Sequence, residues 1–465
     1  VESIDTKTIG LKHKGDSMQY TEEYKKENSK LFEFFLENSF FKTWRADPSH
    51  EDHQANYSNL EFMVNHKCEL KCKYCYMDKY HKSYFPKGSQ VASTILHNTD
   101  LVIDWLIANE YKPAIEMFAG DSVGDPTCRK IIHKIQDAAL QGRSPASEVV
   151  LPTNMGWLHS PNKVKDVEDL LKKSEFSGLP MFISMSVDGK YMEENRPFKS
   201  KNRRWDEESY NRMFEFLVRY PVSGVHPMVY SHNIEKAKDN FLWWQEKYDE
   251  FGLDWTRMYF LEVRNPEWTL AQTKEYAEYI KFLVRWSYDK VNRDKERFIH
   301  FLLRNNGFNI LGTPFIQTGR GMPCSIQACL TLRLGDLTVI PCHRTAYKHM
   351  ETASMIVEDE KITGFNAKNV ELWFSIQSLD SEVYPYCEIC SIKHMCKGGC
   401  LGAQYEATGN LFAPIPSVCR LYHAKIVALI EVLVELDVFD MTMKYIAKHK
   451  RIAFELIKTH ITEAV

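Results

Sequence analysis

Between about residue 58 and residue 290, short apolar runs alternate with stretches of helical spacing. The runs at 60–64, 114–118, 149–153, 181–187, 225–230 and 258–263 read as strands. Segments 100–111, 129–141, 163–173, 209–219 and 235–251 carry apolar residues at helical intervals between them. A strand answered each time by a helix is the pattern of repeated βα units on a parallel sheet. Six such strands suit a partial (β/α)6 barrel and a doubly wound sheet alike, so the pattern predicts an α/β fold. Residues 1–57 are polar and irregular, with one amphipathic helix expected at 22–37, its stripe made by Leu31, Phe32, Phe34, Phe35 and Leu36. Downstream, 270–291 and 297–305 read as helices that carry the chain to a second region. Segments 421–436 and 441–459 read as packing helices.

Composition narrows the class without naming a chemistry. A chain of 465 residues, 44% hydrophobic and 26% charged, is that of an ordinary globular protein with room for two or three domains. A net charge of -3 gives no reason to propose nucleic acid or an anionic membrane as partner. The richest apolar run, 426–436, is too short to span a bilayer and contains Glu431. No signal-peptide pattern is read at the start, and a cytoplasmic location is expected. The 12 cysteines are unevenly spread: three at 68–75, one at 128 and eight between 324 and 419. Grouped cysteines in a large chain of this kind favour metal over disulfides.

The first group is the densest chemistry in the chain. Cys68, Cys72 and Cys75 are spaced C-x3-C-x2-C directly after the first strand. A loop with three thiolates can wrap three corners of a four-iron cluster and leave the fourth iron open, since a closed site needs four ligands. A zinc ion would need a further ligand, for which His66 is available. In the barrel reading this loop lies at a strand C-terminal end, where such folds gather their chemistry.

The spacing, with the aromatic Tyr74 before the last cysteine, resembles the signature of radical S-adenosylmethionine (SAM) enzymes. The resemblance implies that the amine and carboxylate of SAM fill the open iron site. An electron from the cluster then cleaves SAM to methionine and a 5′-deoxyadenosyl radical, which abstracts hydrogen from substrate. It also implies SAM-binding positions. Ala119-Gly120-Asp121, ending the second strand, is similar to the family's glycine-glycine-glutamate segment at the SAM amine, with Ala for the first Gly and Asp for Glu. Asn154 after the third strand, Ser184 or Ser186 on the fourth near the ribose, and Arg196 at the carboxylate complete the set. Ser186-Val187-Asp188-Gly189 is like the fourth-strand segment of a subgroup with extra C-terminal clusters. His226, His232 and Asn233 flank the fifth strand as pocket or core residues.

Cysteines 387, 390, 396, 400 and 419, with 324, 329 and 342 upstream, make eight, the number for two fully ligated four-iron clusters. Two four-cysteine zinc sites fit the same spacing. The pattern resembles the SPASM module, as do 339–343 and Gly398-Gly399. That resemblance implies Cys324, Cys329, Cys342 and Cys400 at one auxiliary cluster, and Cys387, Cys390, Cys396 and Cys419 at the other. Three [4Fe-4S] clusters and SAM are then the expected cofactors. The domains expected are an N-terminal extension (1–57), a radical SAM partial barrel (58–310), a SPASM domain (311–422) and C-terminal helices (423–465).

Enzymes of this subgroup mostly modify peptides or protein side chains. The expected function is therefore an intramolecular cross-link, thioether or carbon–carbon, in a peptide substrate. The expected electron source is a reductant such as flavodoxin or ferredoxin. Sulfatase-maturing relatives carry Asp after the cysteine matching Cys342, where this chain has His343, a candidate general base or cluster neighbour. Cys128, the twelfth cysteine, follows Pro126-Thr127 near a helix N-terminus, where a thiol pKa is lowered. It is read either as a hydrogen donor for epimerisation or as a small buried hydrophobe. Dehydrogenation or formylglycine-type oxidation, and from another class a non-catalytic zinc protein that binds a partner, are the alternatives.

Overall fold

The computed structural model describes residues 59–450 except 82–83, 86–90, 222, 266, 304–305, 313, 315–325, 327–328, 378–386, 388–389 and 397–398. The helix expected at 22–37, Cys324 and Gly398 lie outside the described residues, as does the segment beyond 450.

Strands β1 (Asn59–Met63), β2 (Ala114–Phe118), β3 (Glu148–Thr153), β4 (Met181–Met185) and β5 (Gly224–Val225) run parallel, each paired with the next in chain order. A doubly wound sheet reverses its strand order at a switch point. This order does not reverse, which is what a partial barrel requires. The fifth and sixth runs are broken. Pro227 has no N–H to donate, and β5 stops before it, with β6 (Met228–Val229) resuming after it. β6 pairs in parallel with β7 (Leu261–Glu262), and a bridge from Val225 to Met258 ties the two pieces together.

The connecting helices are α1 (Ala92–Ala108), α2 (Pro126–Leu140), α3 (Pro161–Ser177), α4 (Glu207–Arg219) and α5 (Ala237–Glu250). Their starts follow local chemistry. Asp125 accepts from the N–H groups of Thr127 and Cys128 ahead of Pro126, a capped start with proline in the first turn. Helices α6 (Leu270–Lys290), begun by a Thr269–Gln272 capping box, and α7 (Lys295–Leu303) follow β7.

The second cysteine region joins the same sheet. β8 (Cys329–Arg333) lies parallel to β1 on the edge opposite β2, with Asn59 opposite Cys329 and Glu61 opposite Thr331. β9 (Thr338–Ile340), β10 (Ala353–Glu358) and β11 (Lys361–Ala367) continue it antiparallel, giving a nine-stranded sheet in the order β11-β10-β9-β8-β1-β2-β3-β4-β5. The remaining helices are α8 (Val370–Gln377), α9 (Lys393–Cys396), α10 (Leu401–Thr408), α11 (Pro416–Glu435) and α12 (Phe439–Lys450). α11 packs along α6, pinned by Arg285–Glu435 and Lys281–Glu431 ion pairs at its surface. At its buried face Lys425 reaches Glu262 of β7 at 3.0 Å.

Candidate active site

The three-cysteine loop leaves β1 and is fixed on two sides. On one side Gly120 sits so close to the loop's entry that a Cβ there would stand 2.1 Å from the Lys67 carbonyl oxygen and 2.8 Å from Cys68 N. The glycine of the Ala119-Gly120-Asp121 segment is therefore required by the chain's own backbone. On the other side, the loop is laced to segment 195–199. Lys71 N donates to Pro197 O (2.8 Å), Lys73 N to Asn195 O (2.9 Å) and Lys199 N to Glu69 O (2.8 Å).

Within that frame the three thiols lie in electrostatic reach of one another, Cys68 with Cys75 and Cys72 with both. Burial pushes the Cys72 thiol up to about 12 and raises Cys68, which also receives an N–H from Leu70 (3.4 Å) and the Asn154 amide (3.3 Å). Asp78 N donates to the Cys75 sulfur at 3.4 Å. Buried thiols that repel one another ionise only against a strong positive charge, and N–H groups aimed at sulfur are what cluster thiolates use. These residues fit a cluster. Among the described residues no three His, Cys, Asp or Glu side chains converge on a single metal ion. A cubane spreads its thiolates over separate irons.

Asp188, just beyond β4, is the hub beside the loop. Its carboxylate accepts from Arg196 Nε (2.7 Å), the Tyr74 hydroxyl (2.5 Å) and Met228 N (3.0 Å), while Asn240 and Trp244 donate to its carbonyl. Arg196 is buried and stacked over the Tyr74 ring at 5.2 Å. Burial disfavours its charge, but Asp188 outweighs that and keeps the guanidinium protonated. Only Nε is spent on Asp188, and its two terminal nitrogens make no hydrogen bond among the described residues. Asn154 is held as its side-chain oxygen accepts from Gly156 N (2.7 Å), which aims the amide at Cys68. Ser184 and Ser186 share the less buried face of the β4 run, opposite Ile183, Met185 and Val187. Asp121 is spent differently from the expectation. Its carboxyl, raised by burial, accepts from Thr153 Oγ1 (2.7 Å) and closes the turn at Gly124, so the side chain stabilises its own loop.

Cys128 requires a correction. Its thiol is fully buried in the main core, and burial, with Asp125 and Asp121 beside it, raises its pKa well above the ordinary thiol value. Desolvation and two carboxylates outweigh the helix N-terminus.

A second cluster of polar groups was not read from the sequence. Glu61 and Glu116 face each other in register across β1 and β2. His343 donates its backbone N–H to Glu61 (2.9 Å), pairs with it through Nδ1 (2.7 Å), and stacks on Phe118 with ring centroids 4.0 Å apart. Thr331 of β8 also donates to Glu61. Burial alone would raise Glu61, but His343 overrides it and holds the carboxylate below the usual range. Burial and the Glu61 charge push Glu116 up to about 7. The available signal was an acid in the middle of two buried strands, LEFM and IEMF. His226 lines the fifth strand, its pKa lowered to about 4 by burial and by Arg196 and Arg264.

Several of the later cysteines lie near one another. Cys329 lies beside Cys342, and Cys342 beside Cys400. Cys419 lies beside Cys387 and Cys390, and Cys396 beside Tyr422. Arg344 N donates to the Cys342 sulfur (3.2 Å), and its guanidinium clasps Glu406 of α10 and lies 4.7 Å over the ring of Tyr76. Tyr76 follows Cys75, so this contact joins the two cysteine regions.

No protein-family model and no curated protein matches the chain. Solved structures do. Native anSMEcpe with bound AdoMet and the Cp18Cys peptide superposes with a TM-score of 0.52 at 16% identity, covering 81% of this chain and 99% of that one. Polyhistidine-tagged anSMEcpe with bound AdoMet gives 0.55 at 16% identity, over 87% and 98%. Streptococcus suis SuiB bound to S-adenosylmethionine gives 0.44 at 11% identity, over 89% and 84%. The chain has the fold of the two anSMEcpe structures.

Proposed function

We propose that the chain is a radical SAM enzyme of the SPASM type that modifies a peptide, installing an intramolecular thioether or carbon–carbon cross-link. The observation that carries this is the three-thiol loop. It is laced to segment 195–199, has N–H donors on its sulfurs, and stands beside a buried arginine with terminal nitrogens unspent. The fold neighbours that hold AdoMet, one with a peptide as well, support the same reading.

In this reading Cys68, Cys72 and Cys75 hold the SAM cluster. Cys324, Cys329, Cys342 and Cys400 hold one auxiliary [4Fe-4S] cluster, and Cys387, Cys390, Cys396 and Cys419 hold the other. When bound, the first cluster supplies the electron that splits SAM into methionine and the radical that takes a substrate hydrogen. The chain's own groups bind and orient. Arg196, turned by Asp188 and Tyr74, offers its terminal nitrogens to the SAM carboxylate as a planar fork. The backbone of Ala119-Gly120 serves the amine, and the Ser184 or Ser186 hydroxyl serves the ribose. Asn154 holds the Cys68 sulfur. His343, anchored through Nδ1 and stacked on Phe118, has Nε2 left to hydrogen-bond the substrate group that reacts.

The test is anaerobic incubation of reconstituted enzyme with SAM and a reductant, read for 5′-deoxyadenosine, beside a Cys68→Ala/Cys72→Ala/Cys75→Ala variant. Wild type is expected to form it and the variant not. A fully iron-loaded wild type that forms none overturns the assignment.

A further inference from the structure

An open groove of about 610 Å³ lies along residues 190–204, the stretch that includes the segment laced to the three-cysteine loop. Pro197 and Phe198 form part of its wall. These belong to the segment that is hydrogen-bonded to Lys71 and Lys73, the residues flanking Cys72. The wall of the groove and the three-cysteine loop are therefore joined by backbone hydrogen bonds.

Its charge is one-sided. Lys190, Lys201, Arg203, Arg204 and Lys236 line it, against two glutamates, on a chain whose net charge is -3. Both glutamates are already engaged, Glu193 by Trp205 N (2.6 Å) and Glu194 by Lys236 (2.9 Å) and Lys73 (3.9 Å). Lys190, Lys201 and Arg204 are exposed and form no salt bridge among the described residues. Lys67, Lys71, Lys73 and Lys199 extend the positive field around the loop, also exposed. In the groove Tyr191 is 43% exposed beside Phe198. An exposed aromatic ringed by cations is the anatomy of a protein-docking surface more than of a small-anion pocket.

We propose that this groove is the docking face for an acidic one-electron carrier protein of the flavodoxin or ferredoxin kind, which reduces the cluster held by Cys68, Cys72 and Cys75. The proposal rests on the functional reading above. The step moves one electron: the carrier is oxidised by one, the cluster is reduced by one, and no bond is made or broken in this chain. Complementary charge steers such encounters and makes them sensitive to salt.

The test compares the wild-type holoenzyme with a Lys190→Glu/Lys201→Glu/Arg204→Glu variant and its triple-alanine counterpart. Two quantities are read: affinity for a labelled oxidised flavodoxin, and 5′-deoxyadenosine formation driven by reduced flavodoxin or by reduced methyl viologen, a small cation. Charge reversal is expected to weaken flavodoxin affinity by about tenfold or more, with a smaller loss for the alanines, and the wild-type affinity to fall as salt rises. Flavodoxin-driven turnover should fall in step, while methyl-viologen-driven turnover stays within about twofold. Unchanged flavodoxin affinity overturns the proposal, as a groove built for a small anion would give. An equal fall with methyl viologen also overturns it, since the groove would then belong to the SAM or substrate site. If the wild type yields no 5′-deoxyadenosine with either reductant, the functional reading fails and the electron-transfer role with it. Turnover with methyl viologen alongside charge-blind flavodoxin binding fails the docking face only.

Discussion

Replacing Gly120 by alanine tests how the cysteine loop is held, through stability directly and through iron content under the proposed function. The backbone at Gly120 is not in the left-handed region, so alanine meets no torsional penalty there. The whole cost is steric. The new Cβ would lie 2.1 Å from Lys67 O, 2.3 Å from Lys67 C and 2.8 Å from Cys68 N, all backbone atoms that cannot rotate away. Relief requires a shift of roughly 1 Å at the point where β1 becomes the loop. The nearby Lys67 N–Asn65 bond (2.9 Å) and the Asn154–Cys68 contact (3.3 Å) would stretch with it. Overpacking with the loss of one or two hydrogen bonds adds to about 3 kcal/mol. Gly178→Ala is the control: it has a φ of +64° and open space around its Cβ, so it costs only the about 1 kcal/mol of a left-handed alanine and leaves the loop alone. Urea unfolding and iron content after reconstitution read both effects. Gly120→Ala should lose stability and, if the chain carries the three proposed clusters, about four of about twelve irons, whereas Gly178→Ala should keep its iron. A Gly120→Ala protein with wild-type stability and full iron would refute the close-approach argument.

Three further outcomes are expected. Glu262, buried against Lys425, has its folded pKa lowered to about 2: burial raises it, but Lys425 and Arg264 outweigh burial. A depressed carboxyl contributes stability above its unfolded value of 4.5, and that contribution fades as pH falls toward 2. Wild type should therefore lose about 3 kcal/mol over that window relative to Glu262→Gln, measured by urea unfolding at successive pH values, and parallel curves would contradict it. Asp188→Asn leaves the buried Arg196 charge uncompensated and should cost about 3 kcal/mol and weaken SAM binding in calorimetry; wild-type affinity and stability together would contradict the hub. Cys128 should resist alkylation in the folded chain, and Cys128→Ala should retain turnover; peptide mass spectrometry showing rapid labelling at Cys128 would contradict its burial.

The strands were legible because buried parallel strands write themselves as near-continuous apolar runs, and 60–64 and 114–118, each broken by a single glutamate, emerged within a residue of their observed bounds. The split of the fifth run was also written, in Pro227. What the pattern could not carry was partnership. Nothing local in 329–333 says that it will lie on the free edge of β1, about 270 positions away in sequence, so a region expected to stand apart continues the barrel's sheet. The site divided the same way. Cysteine spacing marks itself in the sequence. The burial of Arg196 was not written in its own neighbourhood, since it depends on Asp188 earlier in the same connection after β4 and on Tyr74 of the cysteine loop. Cys128 misled because a helix N-terminus is visible in sequence and the desolvation that overrides it is not.

The position of β8 has a consequence for the order in which the molecule can be made. β1 carries the cysteine loop from the middle of the sheet, between β2 and β8. During synthesis all the parallel strands through β7 leave the ribosome before residue 329 exists. For that interval β1 has an unpaired edge next to the three-cysteine loop. Exposed edges recruit other strands, and parallel pairing across long separations is slow. A chain truncated at residue 310 would keep that edge permanently and should aggregate as it is expressed.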